Sequence, residues 1–251
     1  MLRHEAAMRA FVMSGYGGPE VTGFRDVPRP EAGPGELLIK VKAAGLNPVD
    51  FKIREGKLKV IQRYPLPAVM GNELAGVVEA VGAGVTRFAP GDRVFARVPK
   101  DEMGAFAEYA ALPEGVVAKM PDGLDFETAA GVPLAGLTAL QALRDELRLR
   151  PGSKVFILGG AGGVGTFAIQ IAKWLGAEVT TTASPRGRAL VERLGADVVI
   201  DYTTQDFADH VSGMDGAFDL IGGDTLMKAF GVVKPGGMVV SVAALPEPQT
   251  A

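Results

Sequence analysis

A run of glycines in the second half of the chain has the spacing of a phosphate-binding loop. Residues 159–165 read Gly-Gly-Ala-Gly-Gly-Val-Gly, and Gly160, Gly162 and Gly165 fall on the G-x-G-x-x-G pattern. Glycine at these positions permits a tight turn, lets the backbone approach a pyrophosphate, and brings a helix close to a strand. The pattern predicts a dinucleotide site, with an ordinary glycine-rich turn of an α/β domain as the alternative.

The segments on either side of this run predict the elements that such a site needs. Residues 155–158 carry no charge and predict a short buried strand, and apolar residues at helical spacing from Val164 to Leu175 predict a helix. The order of strand, glycine loop and helix favours the dinucleotide site, because the N–H groups of the first helical turn then face the phosphates. The expected phosphate-binding residues are Gly160, Ala161, Gly162, Gly163, Val164 and Gly165.

The end of the next predicted strand, residues 178–184, indicates which dinucleotide binds. An NAD site usually places an acidic residue there to hold the ribose 2′-hydroxyl. This chain instead continues with Ser184, Pro185, Arg186, Gly187 and Arg188. With two guanidinium groups and no carboxylate, the segment favours a 2′-phosphate, and it predicts NADPH as the cofactor. The alternative is that both arginines are solvated charges on a helix that starts at the proline.

The remainder of the second half alternates between strand and helix patterns. Strands are predicted at residues 198–201, 217–221 and 238–245, and a turn at residues 234–237. This alternation predicts a doubly wound α/β domain with a parallel sheet, whose ligand crevice lies at the carboxyl ends of the strands. The residues expected to line the cofactor groove are Tyr202, Gly222, Gly223, Ala243 and Ala244.

The first half of the chain has a different pattern of apolar residues, glycine and proline. Glycine and proline separate short alternating segments such as residues 35–42, 74–81 and 92–98, which indicates a β-rich unit. We therefore predict a β-rich domain over residues 1–122 and an α/β domain over residues 123–251.

The composition limits the partners and the compartment. The chain is 47% hydrophobic and 22% charged, with a formal net charge of -3 and no basic run, so we expect no nucleic-acid partner. Its apolar stretches are too short to cross a bilayer and no signal peptide is visible, so we expect a cytoplasmic protein without a membrane partner. Cysteine is absent, which excludes disulfides and thiolate metal sites.

Further motifs follow one another along the chain in a familiar order. They are residues 8–17 (MRAFVMSGYG), 44–52 (AGLNPVDFK), 71–82 (GNELAGVVEAVG), 90–94 (PGDRV), 104–109 (GAFAEY) and 136–139 (GLTA). With these motifs the chain resembles the medium-chain dehydrogenase/reductase superfamily, and within it the zinc-independent, zeta-crystallin-like NADPH quinone oxidoreductase branch. The resemblance implies a GroES-like β-rich substrate domain beside a Rossmann domain, with the active site in the cleft between them.

The chain departs from the zinc-dependent alcohol dehydrogenases of this superfamily. Those proteins hold a catalytic zinc with a Cys in the segment that matches residues 45–50 and a His at the position of Asn72. Here neither ligand is present, and Glu73 alone cannot hold zinc, which needs three protein ligands at a catalytic site. The histidines of the chain, His4 and His210, lie elsewhere in the sequence. We therefore expect no metal site.

Without a metal, the resemblance implies an activated acceptor. The expected reaction is hydride transfer from NADPH to a quinone, or to the β-carbon of an α,β-unsaturated carbonyl such as an enone or alkenal, with the enolate then protonated. The resemblance also implies that Asn47 and Thr138 lie near the nicotinamide. Asp50, Lys52 and Tyr64 are candidates to shape the substrate pocket or relay a proton, and with Asn47 they form the predicted catalytic set. Alternatively, Asp50 caps a helix that begins near Phe51, Lys52 faces solvent and Tyr64 is a packing aromatic.

Two further expectations concern activity and assembly. A nucleotide-binding fold need not catalyse, so the alternative function is an NADPH-binding structural or sensor protein. Proteins that the chain resembles continue beyond the strand at residues 238–245, so we expect a C-terminally shortened chain with this strand at a sheet edge. Such an edge predicts self-association, most simply as a homodimer, with weak NADPH binding and low turnover.

Overall fold

The computed structural model of the protein describes residues 7–243. By its internal contacts the chain forms two units, Met1–Leu134 and Ala135–Ala251. The predicted domain boundary after residue 122 stays a prediction. The helix at residues 126–130 lies with the first unit because Ala129 and Ala130 are buried against Ala75 and Met120 of that unit.

Antiparallel strands make up most of the first unit. Those within the described residues are β1 (Ala7–Met13), β2 (Thr22–Pro28), β3 (Glu36–Ala44), β4 (Ala68–Val69), β5 (Glu73–Val81), β6 (Arg93–Arg97), β7 (Tyr109–Pro113) and β8 (Val117–Lys119). They form a five-stranded sheet in the order β7-β3-β5-β6-β8 and a three-stranded sheet in the order β2-β1-β4. Alternate apolar side chains such as Leu37, Ile39, Leu74 and Val94 are buried together, as expected for strands with one face toward a core. The predicted GroES-like β-rich unit is confirmed.

The first unit also contains short helices. They are α1 (Pro48–Arg54) and α2 (Phe126–Ala130), with single 3-10 turns at Pro19–Val21 and Glu114–Val116. The N-cap of α2 is Asp125, whose carboxylate accepts a hydrogen bond from the Thr128 N–H at 2.6 Å. Helix α3 (Pro133–Leu140) begins at the end of the first unit and is followed by a π-helical segment, Gln141–Glu146.

The second unit is a parallel sheet with helices between its strands. Its strands are β9 (Lys154–Leu158), β10 (Glu178–Ala183), β11 (Val198–Asp201), β12 (Met214–Asp219) and β13 (Val233–Ser241), and its helices are α4 (Gly163–Trp174), α5 (Pro185–Arg193) and α6 (Gly223–Val232), with a 3-10 turn at Phe207–Asp209. The order β11-β10-β9-β12-β13, with every pairing parallel, confirms the predicted Rossmann sheet. Phe156 and Ile157 of β9, Phe218 of β12 and Ile169 of α4 are fully buried.

The predicted turn at residues 234–237 falls inside strand β13 and not before it: these residues have no partner on β12 between the pairs Met214–Val233 and Gly216–Met238. Strand β13 already begins at Val233, and residues 234–237 form an irregularity within it, where the register to β12 shifts. Pro235 cannot donate to the sheet, and Gly236 has a φ of 80°, so the chain bulges without leaving the strand. The predicted end of this strand at residue 245 lies outside the described residues.

The helices of the described part are short. The longest, α4, has 12 residues. Within residues 7–243, no helix combines the length and the hydropathy that crossing a membrane requires.

Candidate functional site

The glycine run connects β9 to α4 and packs tightly against β10. The Gly159 N–H donates to Oγ1 of Thr182 at 2.9 Å, and the Gly160 N–H donates to the Thr182 carbonyl at 3.2 Å. A Cβ on Gly160 would collide with the Thr181 side chain, and one on Gly165 would collide with the Gly159 carbonyl. Glycine at these two positions is therefore required by the close approach of the loop, the strand and the helix.

The same loop has the donors and the space for a pyrophosphate. Helix α4 begins at Gly163, with Gly162 as its N-cap, so the first-turn N–H groups of Gly163, Val164 and Gly165 have no partner within the helix. A Cβ on Gly163 would meet no atom of the described structure within 4 Å. Ala161 lies on the exposed surface of the loop. Backbone N–H groups at a helix N-terminus beside open space fit a phosphate group.

The start of α5 lies beside this loop. Gly187 approaches Ala161 so closely that a Cβ on Gly187 would lie 2.8 Å from the Ala161 Cβ. Ser184 is the half-buried N-cap of α5, and Arg186 is exposed in its first turn. Arg188 is also exposed, but its guanidinium already has acceptors: the Val199 carbonyl and Oε1 of Glu192, each at 3.1 Å. The two arginines predicted for a 2′-phosphate therefore differ in their existing partners.

The other residues predicted for the cofactor groove lie at the carboxyl ends of the strands. Tyr202 follows β11 and is exposed, and Gly222, with a φ of 81°, is the N-cap of α6. Ala243 follows β13, is half-buried, and donates its N–H to Oγ of Ser241 at 3.3 Å. Ala244 lies outside the described residues.

Asp219, a residue that sequence reasoning passed over, organises this end of the sheet. It ends β12, is fully buried, and accepts hydrogen bonds from the N–H groups of Ile221 and Gly222, both at 3.1 Å, and from Oγ of Ser241 at 2.7 Å. An acidic residue at the end of an apolar strand and before two glycines was the signal in the sequence. It holds the backbone that leads into α6.

In the first unit, Asn47 and Asp50 come together at the start of α1. Asn47 is the N-cap, and Oδ2 of Asp50 accepts the Asn47 N–H at 2.7 Å in a capping box. Oδ1 of Asp50 accepts from Nδ2 of Asn72 at 2.7 Å. The predicted helix start near Phe51 is wrong, because α1 already begins at Pro48 and Asp50 is its third residue. The Asp50 carboxylate does take part in capping, since it accepts the Asn47 N–H, and it also binds the buried Asn72.

Glu73 is the second carboxylate that binds Asn47, through the side-chain amide and not the backbone. It is the first residue of β5 and is buried, with 1% of its surface exposed. Its Oε1 accepts from Nδ2 of Asn47 at 2.6 Å, and its Oε2 accepts from the Leu134 N–H at 2.7 Å. Sequence reasoning weighed Glu73 only as a metal ligand, whereas here it binds an amide side chain and a helix backbone.

Arg97 supplies positive charge to this cluster. One of its terminal nitrogens donates to the backbone carbonyl of Asn72 at 3.1 Å and to that of Val98. Oδ1 of Asn72 is buried and has no hydrogen-bond partner within the described part of the chain. Buried amide oxygens are usually hydrogen-bonded, so this oxygen can still accept from a donor outside the protein chain.

Burial sets the electrostatics of the cluster. It raises the pKa of Asp50 and of Glu73 above their ordinary values, and the hydrogen bonds to each carboxylate together with the charge of Arg97 only partly oppose it. Burial likewise lowers the pKa of the Arg97 guanidinium. Two carboxyl groups and one guanidinium thus share a space with little water.

The remaining predicted residues occupy different surroundings. Tyr64 is buried, its hydroxyl donates to the Lys100 carbonyl at 2.9 Å, and burial raises its pKa. Lys52 is half-buried on α1. Thr138 is half-buried on α3, in the second unit. The structure therefore brings Asn47 and Asp50 into direct contact, and it commits the Tyr64 hydroxyl to a backbone carbonyl.

The residues at the zinc position do not fit the metal. Asn72 stands where the zinc-dependent members place a histidine, and its Nδ2 already donates to Asp50. Among residues 7–243, no three His, Cys, Asp or Glu side chains are grouped in a way that could hold a metal ion.

Comparison with known proteins places this geometry in a family. The alcohol dehydrogenase GroES-like domain matches residues 33–122, and the zinc-binding dehydrogenase domain matches residues 163–251. The chain is 42% identical over 252 residues to the chloroplastic NADPH-dependent alkenal/one oxidoreductase of Arabidopsis thaliana, covering 96% of this chain and 64% of that protein. It is 41% identical over 246 residues to the quinone oxidoreductase of Pseudomonas aeruginosa, covering 94% of this chain and 73% of that protein.

Solved structures agree with these matches. A mycobacterial protein whose structure was solved in complex with NADPH superposes with a TM-score of 0.83 at 36% identity, covering 94% of this chain and 74% of that one. The chain thus spans between 64% and 74% of the length of these three proteins. Identity of 41% across 73% of the Pseudomonas aeruginosa protein establishes the family. The chain belongs to the medium-chain dehydrogenase/reductase superfamily, in its zinc-independent quinone oxidoreductase branch.

Proposed function

We propose that the protein is an NADPH-dependent oxidoreductase that reduces a quinone or an α,β-unsaturated carbonyl compound, an enone or alkenal, without zinc. The single observation that carries this proposal is the glycine loop between β9 and α4. Its first-turn N–H groups, the open space at Gly163 and the forced approach at Gly160 and Gly165 together fit a dinucleotide pyrophosphate. The printed activities of the Arabidopsis thaliana and Pseudomonas aeruginosa relatives support the same reaction class.

The residues around the loop support the choice of NADPH over NADH. Ser184 and Arg186 lie at the start of α5, which packs against the loop at Ala161. No acidic residue occupies the turn between β10 and α5, so a 2′-phosphate would meet positive charge there rather than repulsion. Arg188 adds to this charge from the same helix. Tyr202, Gly222 and Ala243 would line the groove at the carboxyl ends of the strands.

The cluster at the start of α1 is the proposed catalytic end. When bound, NADPH supplies the hydride. Asn47 and Thr138 would bind near the nicotinamide, while Asp50 holds the backbone of Asn47 in place. Lys52 and Tyr64 are the proposed groups to shape the acceptor pocket or to relay the proton that the reduced acceptor takes up.

An activated acceptor matches this set of side chains. A quinone or enone spreads the incoming negative charge onto its own oxygen, so hydrogen-bond donors are enough to stabilise it and a Lewis acid is not required. A saturated ketone lacks this delocalisation. The hydrogen-bond donors of the cluster are the amides of Asn47 and Asn72 and the guanidinium of Arg97, since an ionised carboxyl group only accepts.

We also propose that the protein is cytoplasmic and works as a homo-oligomer, most simply a dimer. Strand β13 is one of the two outer strands of the described sheet, and Met238 and Val242 on or next to it are exposed. An outer strand with exposed apolar side chains favours pairing with a second copy. Light scattering of the purified protein tests the assembly, and cell fractionation tests the location.

The activity is tested by mixing the purified protein with NADPH and a panel of quinones and enones while following the nicotinamide absorbance. Saturated ketones of the same carbon skeleton are the matched controls. We expect oxidation of NADPH with the conjugated acceptors only. Tight NADPH binding without turnover of any conjugated acceptor would contradict the proposed reaction.

A further inference from the structure

The buried carboxylate of Glu73, in the first unit, accepts a hydrogen bond on each of its two oxygens. The carboxylate is fully surrounded, and its two oxygens serve different partners: Nδ2 of Asn47 at 2.6 Å and the backbone N–H of Leu134 at 2.7 Å. Leu134 lies in the first turn of α3, whereas Asn47 precedes α1. One buried side chain thus joins two helix starts.

Gly45 leaves the space that the long Glu73 side chain occupies. Gly45 lies against Oε1 of Glu73, and a Cβ at this position would collide with the carboxylate. The same Cβ would lie 2.8 Å from the Ala130 carbonyl on α2. The glycine therefore leaves the room that a full-length glutamate needs to reach Asn47.

The contact with Glu73 determines how the Asn47 carboxamide is oriented. A carboxylate only accepts hydrogen bonds, so it faces Nδ2 of the amide and not Oδ1. A rotation of the amide by half a turn would place Oδ1 against Oε1, two acceptors without a proton between them. At a buried site this arrangement is costly, so the positions of Oδ1 and of the second Nδ2 hydrogen are fixed as well.

We propose that Glu73 is a positioning residue for the reaction, because it fixes the orientation of the Asn47 carboxamide toward the nicotinamide cofactor. This inference rests on the proposed function, in which Asn47 binds near the nicotinamide. Glu73 acts through Asn47 and does not itself touch the reacting atoms. Its second bond, to Leu134, anchors the carboxylate so that it cannot turn away from Asn47.

The first test is Glu73→Gln, which keeps the shape of the side chain and removes one acceptor. The new amide can accept from the Leu134 N–H only by turning its NH₂ group toward Asn47. Asn47 must then present Oδ1 to it, so its carboxamide turns over. We expect roughly tenfold or greater losses in NADPH affinity and in kcat with an enone or quinone.

The second test is the double variant Glu73→Gln with Asn47→Asp, which exchanges acid and amide between the two positions. The hydrogen bond is remade with reversed polarity, and both net charge and volume are conserved. We expect the stability against urea to return close to that of the unchanged protein. NADPH affinity and kcat are expected to stay at least roughly tenfold low, because the group presented to the cofactor is now a carboxylate.

The control is Glu79→Gln, on the same strand β5 but exposed and paired with Arg29 at the surface. It should leave NADPH affinity and kcat unchanged. Normal NADPH affinity and kcat in Glu73→Gln, or recovery of both in the double variant, would overturn the positioning role and leave the proposed function intact. Failure of the unchanged protein to bind NADPH would instead overturn the proposed function, and this inference with it.

Discussion

Oγ of Ser241 donates a hydrogen bond to Oδ2 of Asp219 over 2.7 Å, and this bond ties the carboxyl end of β13 to that of β12. The same carboxylate accepts the Gly222 N–H at the N-cap of α6. One buried acid thus holds an outer strand of the described sheet and the loop proposed to contact the cofactor.

Removing the hydroxyl should weaken this end of the sheet. Ser241→Ala leaves the buried carboxylate with one donor fewer, which is expected to lower the free energy of unfolding by about 1–3 kcal/mol in urea titrations. Ser212→Ala, at an exposed position, is the control and should have little effect. Equal stability of the two variants would show that the bond contributes nothing.

The two arginines of α5 should contribute unequally to cofactor choice. We expect the unchanged protein to bind NADPH at least roughly tenfold more tightly than NADH, and Arg186→Ala to remove most of this difference. Arg188→Ala should have a smaller effect, because that guanidinium already binds Glu192 and the Val199 carbonyl. Fluorescence titrations with both cofactors measure the ratio, with exposed Arg193→Ala on the same helix as control. Equal affinities for the two cofactors in the unchanged protein would contradict this reading.

Substitutions at two glycines of the loop should affect different properties, one the stability of the fold and the other NADPH binding. Gly160→Ala is expected to lower the free energy of unfolding, because its methyl group would collide with Thr181. Gly163→Ala places a methyl group in open space, so stability should change by less than about 0.5 kcal/mol. NADPH affinity should nevertheless fall, because the new methyl group occupies the space proposed for the phosphates. Unchanged NADPH binding by Gly163→Ala would argue against this placement.

The buried acid Glu73 should make stability depend on pH. Burial raises its folded pKa above the ordinary value of 4.5, so the folded protein holds this proton more tightly than the unfolded chain. The resulting stability is complete below the unfolded pKa and is lost as pH rises through the higher folded pKa. The free energy of unfolding of the unchanged protein, relative to Glu73→Gln, should therefore decrease with rising pH. Urea titrations of both proteins at several pH values measure this trend. A free energy of unfolding that increases with pH in the unchanged protein, relative to Glu73→Gln, would contradict it.

The sequence predicted well those parts that depend on residues close together in the chain. The glycine loop and its flanking strand β9 and helix α4 follow from local periodicity and spacing. The parallel arrangement of the strands in the second unit followed from the alternation of strand and helix patterns. Such features need no knowledge of distant partners.

The roles of Glu73 and Asp219 could not be predicted in this way. Glu73 binds Asn47, 26 positions earlier, and Leu134, 61 positions later, and neither separation carries a sequence pattern. Asp219 binds Ser241, 22 positions later, across two adjacent strands. The start of β13 before the predicted turn was missed for a related reason: Val233 pairs with Met214 of β12, 19 positions earlier, and this pairing carries no sequence pattern.

The tight packing around Gly45 restricts which residues can replace this glycine. Any side chain at this position meets the Glu73 carboxylate on one side and the Ala130 main-chain carbonyl on the other. Shortening the acid would relieve only the first collision, since the second involves backbone that no substitution at residue 130 removes. A larger residue at position 45 therefore requires a change at position 73 and a displacement of α2 at the same time. A single substitution of this glycine is therefore expected to lower the stability of the first unit.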